Sequence, residues 1–173
     1  MRPTEHAEQG LNSSHSVRPR PLVPTDPRNP APSSQATRRV MQAIHGKRTG
    51  LEVKLELALR TGGVKGYARN AMTPVGRPDF VFGRERVALF VHGCFWHRCP
   101  VCRLPLPKSH RAFWSAKFRR NRARDKEVRN RLRVRGWTVL EVWGHELGDS
   151  DRVASVIARS VLARRKRQAQ RRS

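Results

Sequence analysis

Residues 86–97, RVALFVHGCFWH, are the most informative for the fold, because an apolar, β-branched run passes directly into polar and aromatic residues. Such a run, bounded by turn residues, predicts a buried strand over Arg86–His92. Two further runs of the same character, Asp79–Phe82 and Thr138–Trp143, predict two more strands. Short strands that alternate with helical segments indicate an α/β fold, in which helices flank a small mixed sheet.

Helical segments surround these strands. Apolar residues spaced three and four apart, together with capping residues, mark where each helix begins and ends. Four segments have this pattern: residues 38–46 with Met41 and Ile44, a helix from the N-cap Thr49 to Gly62-Gly63, Ala112–Val134, and a last helix N-capped by Ser150 or Asp151. The sequence thus predicts one folded domain over residues 37–163.

The charge balance indicates a polyanionic partner. Lys and Arg number 37 against 13 Asp and Glu, which gives a formal net charge of +24 over 173 residues. Repulsion among so many like charges is relieved when the protein binds nucleic acid. No apolar run is long enough for a membrane span or a secretion signal, so we expect a cytoplasmic protein.

Both ends of the chain differ from the predicted domain. Residues 1–36 are rich in proline, arginine and small polar residues, and we expect them to form a disordered arm. Residues 164–173 carry several arginines and form a basic tail. Such a tail is either a solvated charge run or a weak phosphate-binding arm.

Three cysteines follow the central strand with the spacing Cys94-x4-Cys99-x2-Cys102. Three thiols cannot all pair as disulfides, and this spacing is typical of metal ligands. Tetrahedral zinc needs a fourth ligand, for which His145 after the third strand is the best candidate. The alternatives are His92, His97 and His110. The pattern therefore predicts a structural zinc site.

The helix Ala112–Val134 has one inward stripe that is not purely apolar. Residues at alternating spacings of four and three share a helical face. The stripe consists of Trp114, Phe118, Asn121, Asp125, Val128 and Leu132. An inward carboxylate needs a partner, which for Asp125 is either a neighbouring arginine or a histidine of a site. Asp79, at the start of a strand, is either a surface turn residue or a functional carboxylate.

Several ordered landmarks resemble the very-short-patch-repair mismatch endonucleases of bacteria. The resemblance covers roughly residues 36–147 and lies outside the arm and the tail. Its landmarks are Gly76-Arg77-Pro78-Asp79-Phe80, Phe90–His97, Phe113-Trp114, Arg124-Asp125 and Gly136–Leu140, with Met41-Gln42-Ala43-Ile44 and Glu52 in the N-terminal part. The resemblance implies a restriction-endonuclease-like core that nicks one strand of duplex DNA 5′ to the thymine of a T:G mismatch.

The resemblance also implies two metals and a set of roles. Asp79 would hold catalytic magnesium, helped by the backbone carbonyl of Val91. His97 would be the general acid or base, oriented by Asp125. His92 would lie close to the scissile phosphate. Zinc would be structural, with Cys94, Cys99, Cys102 and His145 as ligands.

Further expectations follow from the same resemblance. Glu52 matches the acid of the family's N-terminal part and joins the catalytic set. Phe95, Trp96 and Trp114 would enter the duplex beside the mismatch, where unstacking costs least. The partner would be double-stranded DNA with a T:G mismatch, bound by a monomer at the nucleoid, with mismatch-repair proteins as further partners.

Two other functions fit the sequence. A non-catalytic, zinc-dependent DNA-binding protein would use the same charge and the same cysteines, but it would not need Asp79 or Asp125. A restriction-type nuclease would keep the catalytic core and recognise a different site. The second carboxylate and the lysine usual in such nuclease cores are replaced here by Val91 and Gly93.

Overall fold

The computed structural model describes residues 49–171. The predicted arm over residues 1–36 and the helical candidate over residues 38–46 lie outside this range. Among the described residues, no helix is long and apolar enough to cross a membrane.

A four-stranded mixed sheet forms the centre of the structure. Its strands, in chain order and in spatial order, are β1 (Ala68–Arg69), β2 (Phe80–Phe82), β3 (Val87–His92) and β4 (Thr138–Trp143). The pairs β1–β2 and β2–β3 are antiparallel, whereas β3 and β4 are parallel, with Val87 beside Thr138. The three strands predicted from the sequence are confirmed within one residue at each end. The two-residue strand β1 has no apolar pattern and was not predicted.

Three long helices flank the sheet: α1 (Gly50–Thr61), α2 (Arg111–Val134) and α3 (Ser150–Gln170). The predicted N-cap Thr49 is confirmed, since its side chain and that of Glu52 cap each other's backbone N–H groups. The predicted N-cap of α3 is wrong. Asp149, rather than Ser150 or Asp151, accepts a hydrogen bond from the Arg152 N–H at 3.1 Å. The cap lies one residue earlier because a 3-10 helix, Glu146–Asp149, runs directly into α3.

The alternation of side chains along β3 divides the core into two layers. Leu89 and Phe82 pack with Leu59 of α1 and Ile157 of α3 on one face of the sheet. On the opposite face, residues of β3 and β4 pack against α2. The members of this second cluster are Val75, Ala88, Leu132, Phe90, Val128, Trp137 and Val139. His92 has the same parity as Ala88 and therefore lies on the α2 face.

The amino end of β3 is fixed by the second half of α3. Arg165 donates two hydrogen bonds to one carboxylate oxygen of the buried Glu85, at 3.0 and 2.8 Å. Arg164 donates to the Glu85 carbonyl at 3.2 Å and to the Gly136 carbonyl at 2.6 Å. The boundary predicted at residue 163 thus falls inside a continuous helix that extends to Gln170.

Candidate active site and metal cluster

The carboxyl end of β3 and the loop that follows it carry most of the site residues. The loop folds back on itself through backbone hydrogen bonds from His97 to Gly93 at 3.1 Å and from Cys99 to Cys94 at 2.9 Å. A side chain at Gly93 would stand 3.2 Å from the Trp96 ring, so the absence of a Cβ lets the loop close. His97 and Trp96 thereby lie against α2, while the cysteines lie near the end of β4.

Asp79 is held against β3 at the end of the β2–β3 ladder. Its carboxylate accepts a hydrogen bond from the Val91 N–H at 2.7 Å. Burial raises the pKa of Asp79 to about 6. The hydrogen bond from Val91 opposes this rise, and the negative charge of nearby Glu52 adds to it. Asp79 is therefore a confined carboxylate beside a second acid rather than a solvated turn residue. Such a pair gains strongly from a bound cation.

The geometry of β3 also determines the side of the strand on which the Val91 carbonyl lies. In a strand, the N–H and C=O of one residue point to the same side, so the Val91 carbonyl lies on the side of Asp79. The register that pairs Phe80 with Leu89 would place Pro78 opposite Val91. Proline has no N–H to donate to that carbonyl. An oxygen from the backbone and an oxygen from Asp79 thus lie on the same side of β3, and oxygen ligands suit magnesium.

His97 and Asp125 form a close pair between the loop and α2. The distance from His97 Nδ1 to Asp125 Oδ2 is 2.6 Å, and both side chains are largely buried. Burial lowers the pKa of His97, although the hydrogen bond to Asp125 opposes this and the neighbouring His92 adds to it. The histidine is thus favoured in its neutral form, with Asp125 fixing Nδ1 as the donor atom. The prediction that Asp125 faces inward toward a partner is confirmed.

His92 is the last residue of β3, and its ring lies between His97 of the loop and Trp143 of β4. It is 4% exposed, and its ring centroid is 4.4 Å from that of His97 and 5.1 Å from that of Trp143. Its Nε2 is 3.3 Å from Glu141 Oε2, but the angle is too poor for a hydrogen bond. His92, His97 and Asp125 together could also hold a metal ion, since their ligand atoms lie within 4.8 Å of one another.

One cavity of about 420 Å³ joins these groups. Its walls combine acids, imidazoles and guanidinium groups. They include Arg77, Asp79, Val91, His92, His97, Arg124, Asp125 and Arg129. A neighbouring cavity of about 550 Å³ extends along α2 and is lined by further basic residues, Arg98, Arg119, Arg122 and Lys126. This arrangement suits a phosphate backbone that passes over a site with a confined acid and a neutral imidazole.

A second cluster contains the three cysteines and His145, whose ligand atoms all lie within 4.8 Å of one another. His145 Nδ1 is 3.4 Å from Cys94 Sγ and 3.6 Å from Cys99 Sγ. Tetrahedral zinc with its usual bond lengths separates sulfur and nitrogen ligands by about 3.6 Å, so the spacing fits. Burial disfavours the Cys99 thiolate, yet its pKa is lowered by hydrogen bonds from the backbone of Cys102 and Val101 together with those of the Cys102 and Cys94 thiols. The cluster could bind a metal ion such as zinc.

The structure shows which of the four candidate histidines lies with the cysteines. His145 joins the cysteines, as predicted, because β4 ends beside the loop: His145 Nδ1 lies 3.4 Å from Cys94 Sγ. His92 and His97 belong to the other cluster, and His110 belongs to neither of the two.

The aromatic residues form a third cluster, in which Trp96 directly precedes His97 of the cavity. Phe95, Trp96 and Trp114 are mutual neighbours, with ring centroids 4.9 to 6.1 Å apart. Phe95 and Trp96 are partly exposed, whereas Trp114 is only 5% exposed and rests on Phe118. The Lys117 ammonium lies 5.3 Å from the Trp114 ring centroid, within the range of a cation–π contact.

Sequence reasoning missed Glu141 and its partner Arg129. Arg129 contacts both carboxylate oxygens of Glu141, at 3.0 and 3.1 Å, beside His92. A signal was available, because Glu141 is the one charged residue in the strand TVLEVW. Its partner could not be read from the chain, since Arg129 is one of many arginines on α2.

The sequence matches a family model described as DNA mismatch endonuclease Vsr over residues 33–102. Among similar proteins, the type II nicking enzyme V.XorIIP of Xanthomonas oryzae pv. oryzae is 41% identical over 118 residues, which cover 68% of this chain and 85% of that protein. The type II nicking enzyme V.NaeI of Lentzea aerocolonigenes is 39% identical over 133 residues, which cover 74% of this chain and 78% of that protein.

The DNA mismatch endonuclease Vsr of Escherichia coli is 38% identical over 110 residues, which cover 63% of this chain and 70% of that protein. The similar regions of V.XorIIP and V.NaeI each exceed two thirds of both chains compared, so the likeness is not confined to one motif. These matches agree with a site in which acids and imidazoles line a basic cavity. The chain therefore belongs to the Vsr family of DNA mismatch endonucleases and is a nuclease that acts on DNA.

Proposed function

We propose that this protein nicks one strand of duplex DNA 5′ to the thymine of a T:G mismatch and thereby starts very short patch repair. One observation carries the proposal: Asp79, Val91 and the His97–Asp125 pair line a single basic cavity. We take a monomer to be the active form. The expected place of action is the chromosomal DNA of the nucleoid.

In this proposal, His97 accepts a proton from the attacking water. Asp125 holds the proton on Nδ1, so Nε2 keeps a lone pair to receive another. Burial supports this role because it keeps His97 neutral near physiological pH. Arg77 and Arg124, which line the cavity, bind and orient the phosphate.

Asp79 and the Val91 carbonyl are the residues that would hold magnesium. The raised pKa of Asp79, about 6, fits this role because a cation offsets both burial and the charge of Glu52. Glu52 stays within electrostatic reach of Asp79 while it caps α1, so we give it an auxiliary role at the same metal. When bound, Mg²⁺ stabilises negative charge on phosphate oxygens and promotes ionisation of water.

The other two clusters support recognition. Zinc on Cys94, Cys99, Cys102 and His145 would tie the loop to the end of β4, so its role is structural. We propose that Phe95 and Trp96, based on the buried Trp114, form a wedge that enters the duplex. Unstacking costs less at a mismatch than at a paired step, so such a wedge favours mismatched DNA.

The test is a nicking assay on three duplexes of one sequence that differ only at one position: T:G, C:A and fully paired. We expect nicking of the T:G duplex, 5′ to the thymine, with Mg²⁺ present and none with EDTA. Equal nicking of the paired duplex would instead indicate a restriction-type nuclease. Binding without nicking at any metal concentration would indicate a non-catalytic DNA-binding protein.

A further inference from the structure

Glu141 is a carboxylate on the α2 face of an otherwise uncharged strand, β4. It is partly buried, and a carboxylate in that position needs a compensating cation. Arg129 supplies it through two contacts, Nε to Oε1 at 3.0 Å and Nη1 to Oε2 at 3.1 Å. The Arg133 guanidinium adds a weaker contact at 4.0 Å. A two-pronged pair of this kind fixes the plane of the carboxylate as well as its position.

The carboxylate held in this way reaches His92. Its Oε2 lies 3.3 Å from Nε2 of His92, a ring that is 4% exposed. Among the described residues, Nε2 of His92 has no hydrogen-bond partner of good geometry, and this carboxylate contact is the one that it makes. Contact with His92 is the main influence that holds the pKa of Glu141 below its usual range. Burial opposes this lowering, and the charge of Arg129 adds to it. Glu141 thus places a carboxylate acceptor 3.3 Å from His92 Nε2, within reach of a proton on that atom.

The arrangement parallels the neighbouring pair. Asp125 contacts His97 at 2.6 Å, Glu141 contacts His92 at 3.3 Å, and the two imidazole rings are 4.4 Å apart. The two carboxylates come from different elements, α2 and β4, and hold the rings from different sides. A change in the orientation of one ring would therefore disturb the other.

We propose that Glu141, fixed by Arg129, is a positioning residue that holds the His92 ring with its proton on Nε2. Nδ1 of His92 is then the lone-pair atom of a ring that lines the catalytic cavity beside Asp79. The effect on nicking rests on the proposed function, whereas the tautomer of the ring does not.

The first experiment reads the tautomer directly, without DNA or metal-dependent activity. Long-range 1H–15N NMR spectra of the imidazoles are recorded for the full chain and for Glu141→Leu, Glu141→Gln and Glu127→Leu. Glu127 is the matched control, because it pairs with Arg131 on the exposed side of α2 at 3.3 Å. We expect His92 to be protonated on Nε2 in the wild type, in Glu127→Leu and in Glu141→Gln, whose amide oxygen still accepts a hydrogen bond. In Glu141→Leu we expect a mixture of tautomers, and an unchanged His92 signal would overturn the proposal.

Removal of one partner of a buried pair can destabilise the fold, so a second variant is needed. The double variant Arg129→Leu/Glu141→Leu removes both charges of the close pair, and the one cation that loses a contact is Arg133, whose side chain is 53% exposed. It should melt close to the wild type and still show the mixed tautomers of His92. A well-folded double variant with the wild-type tautomer would contradict the role of Glu141.

The second experiment measures single-turnover nicking and duplex affinity. We expect Glu141→Leu to nick about 10–100-fold more slowly, since partners that orient an active group typically contribute that much. Affinity for the duplex should stay within about twofold, and Glu141→Gln should recover most of the rate. In a His92→Ala background, Glu141→Leu should cause no further loss, because the two residues act as one unit.

Two outcomes separate the possible failures. If Glu141→Leu weakens duplex binding but nicks at the wild-type rate once bound, Glu141 acts on DNA through Arg129 and the positioning role is wrong. If the wild type does not nick DNA but the His92 tautomer changes as expected, the proposed function fails while the assignment of Glu141 stands.

Discussion

Buried charged or ionisable groups lie at both ends of β3, but they are paired at the amino end and incompletely paired at the carboxyl end. At the amino end, Glu85 is 4% exposed, and Arg165 donates two hydrogen bonds to its carboxylate. At the carboxyl end, burial and the nearby Glu52 raise the pKa of Asp79 to about 6. There too, His92 Nε2 lacks a well-directed hydrogen bond among the described residues.

The difference indicates what each end contributes. Where buried charges are fully paired, they hold elements together: Glu85 connects the β2–β3 turn to α3. Where acids and imidazoles are held close without full compensation, the fold loses stability and the groups remain available to a ligand. We therefore assign stability to the amino end of β3 and chemistry to its carboxyl end.

Loss of the cysteine cluster should have the largest effect, because it would remove the support of the whole carboxyl end. Structural zinc contributes folding free energy directly, on the order of 10 kcal/mol in small domains. We expect Cys99→Ser to purify with less than one equivalent of zinc and to unfold or aggregate. Elemental analysis and circular dichroism measure both effects. A folded, active and zinc-free protein would remove the structural role from this cluster.

Asp79→Asn should abolish nicking while the fold persists. A catalytic metal stabilises the transition state by several kcal/mol, so we expect a loss of at least about a thousandfold in rate. The amide oxygen can still accept the Val91 hydrogen bond, and the phosphate contacts of the arginines remain. Duplex affinity, measured in EDTA by fluorescence anisotropy, should be unchanged. Nicking at a near wild-type rate would reject Asp79 as a metal ligand.

His97 and Asp125 should show a smaller, shared effect. A general base typically contributes 10²- to 10⁴-fold, so we expect His97→Ala to nick at least about a hundredfold more slowly. If Asp125 acts only by orienting His97, the variant without both side chains should be no slower than His97→Ala. Single-turnover nicking of the three variants tests this. Losses that multiply would show that the two residues have independent roles.

The sequence was sufficient for most of this carboxyl end. The apolar run before His92 predicted β3, and the inward stripe of α2 placed Asp125 toward the site. The spacing of the cysteines predicted the cluster, and the position of His145 after β4 predicted its fourth member. These features depend on local periodicity and on strand order, both of which can be recognised from the sequence.

Tertiary pairing explains what the sequence did not reveal. Glu141 could be recognised as an isolated charge, but its partner Arg129 is defined only once β4 lies under α2. At the other end, Arg164 and Arg165 belong to a run of basic residues that reads as a tail. Their contacts with Glu85 are 79 and 80 residues distant in sequence, so no local pattern predicts them.

Substitution at the amino end should affect stability alone. Glu85→Gln weakens the paired contacts of Arg165, and we expect a loss of about 1–3 kcal/mol in the free energy of unfolding. Nicking by the folded protein should be unchanged. The control Glu127→Gln breaks an exposed ion pair and should cost less than about 1 kcal/mol. A Glu85→Gln variant that melts like the wild type, or that nicks more slowly, would contradict the division between the two ends.

The pH dependence of melting shows whether the charged form of Asp79 destabilises the folded protein. Its pKa is about 6 in the folded protein and has an ordinary value of 3.8. Below about pH 3 the group is protonated in both states and has no effect on stability, and near pH 4 its effect is still small. As pH rises from about 4 to above 6, ionisation costs the folded state about 3 kcal/mol.

The measurement is the melting temperature of the wild type and of Asp79→Asn between pH 4 and pH 8 without divalent metal. We expect the two proteins to melt together near pH 4 and the variant to melt several degrees higher above pH 6. Addition of Mg²⁺ should raise the melting temperature of the wild type alone. If Asp79→Asn melts lower than the wild type across the whole range, Asp79 is a structural residue and the carboxyl end of β3 does not have the role assigned to it.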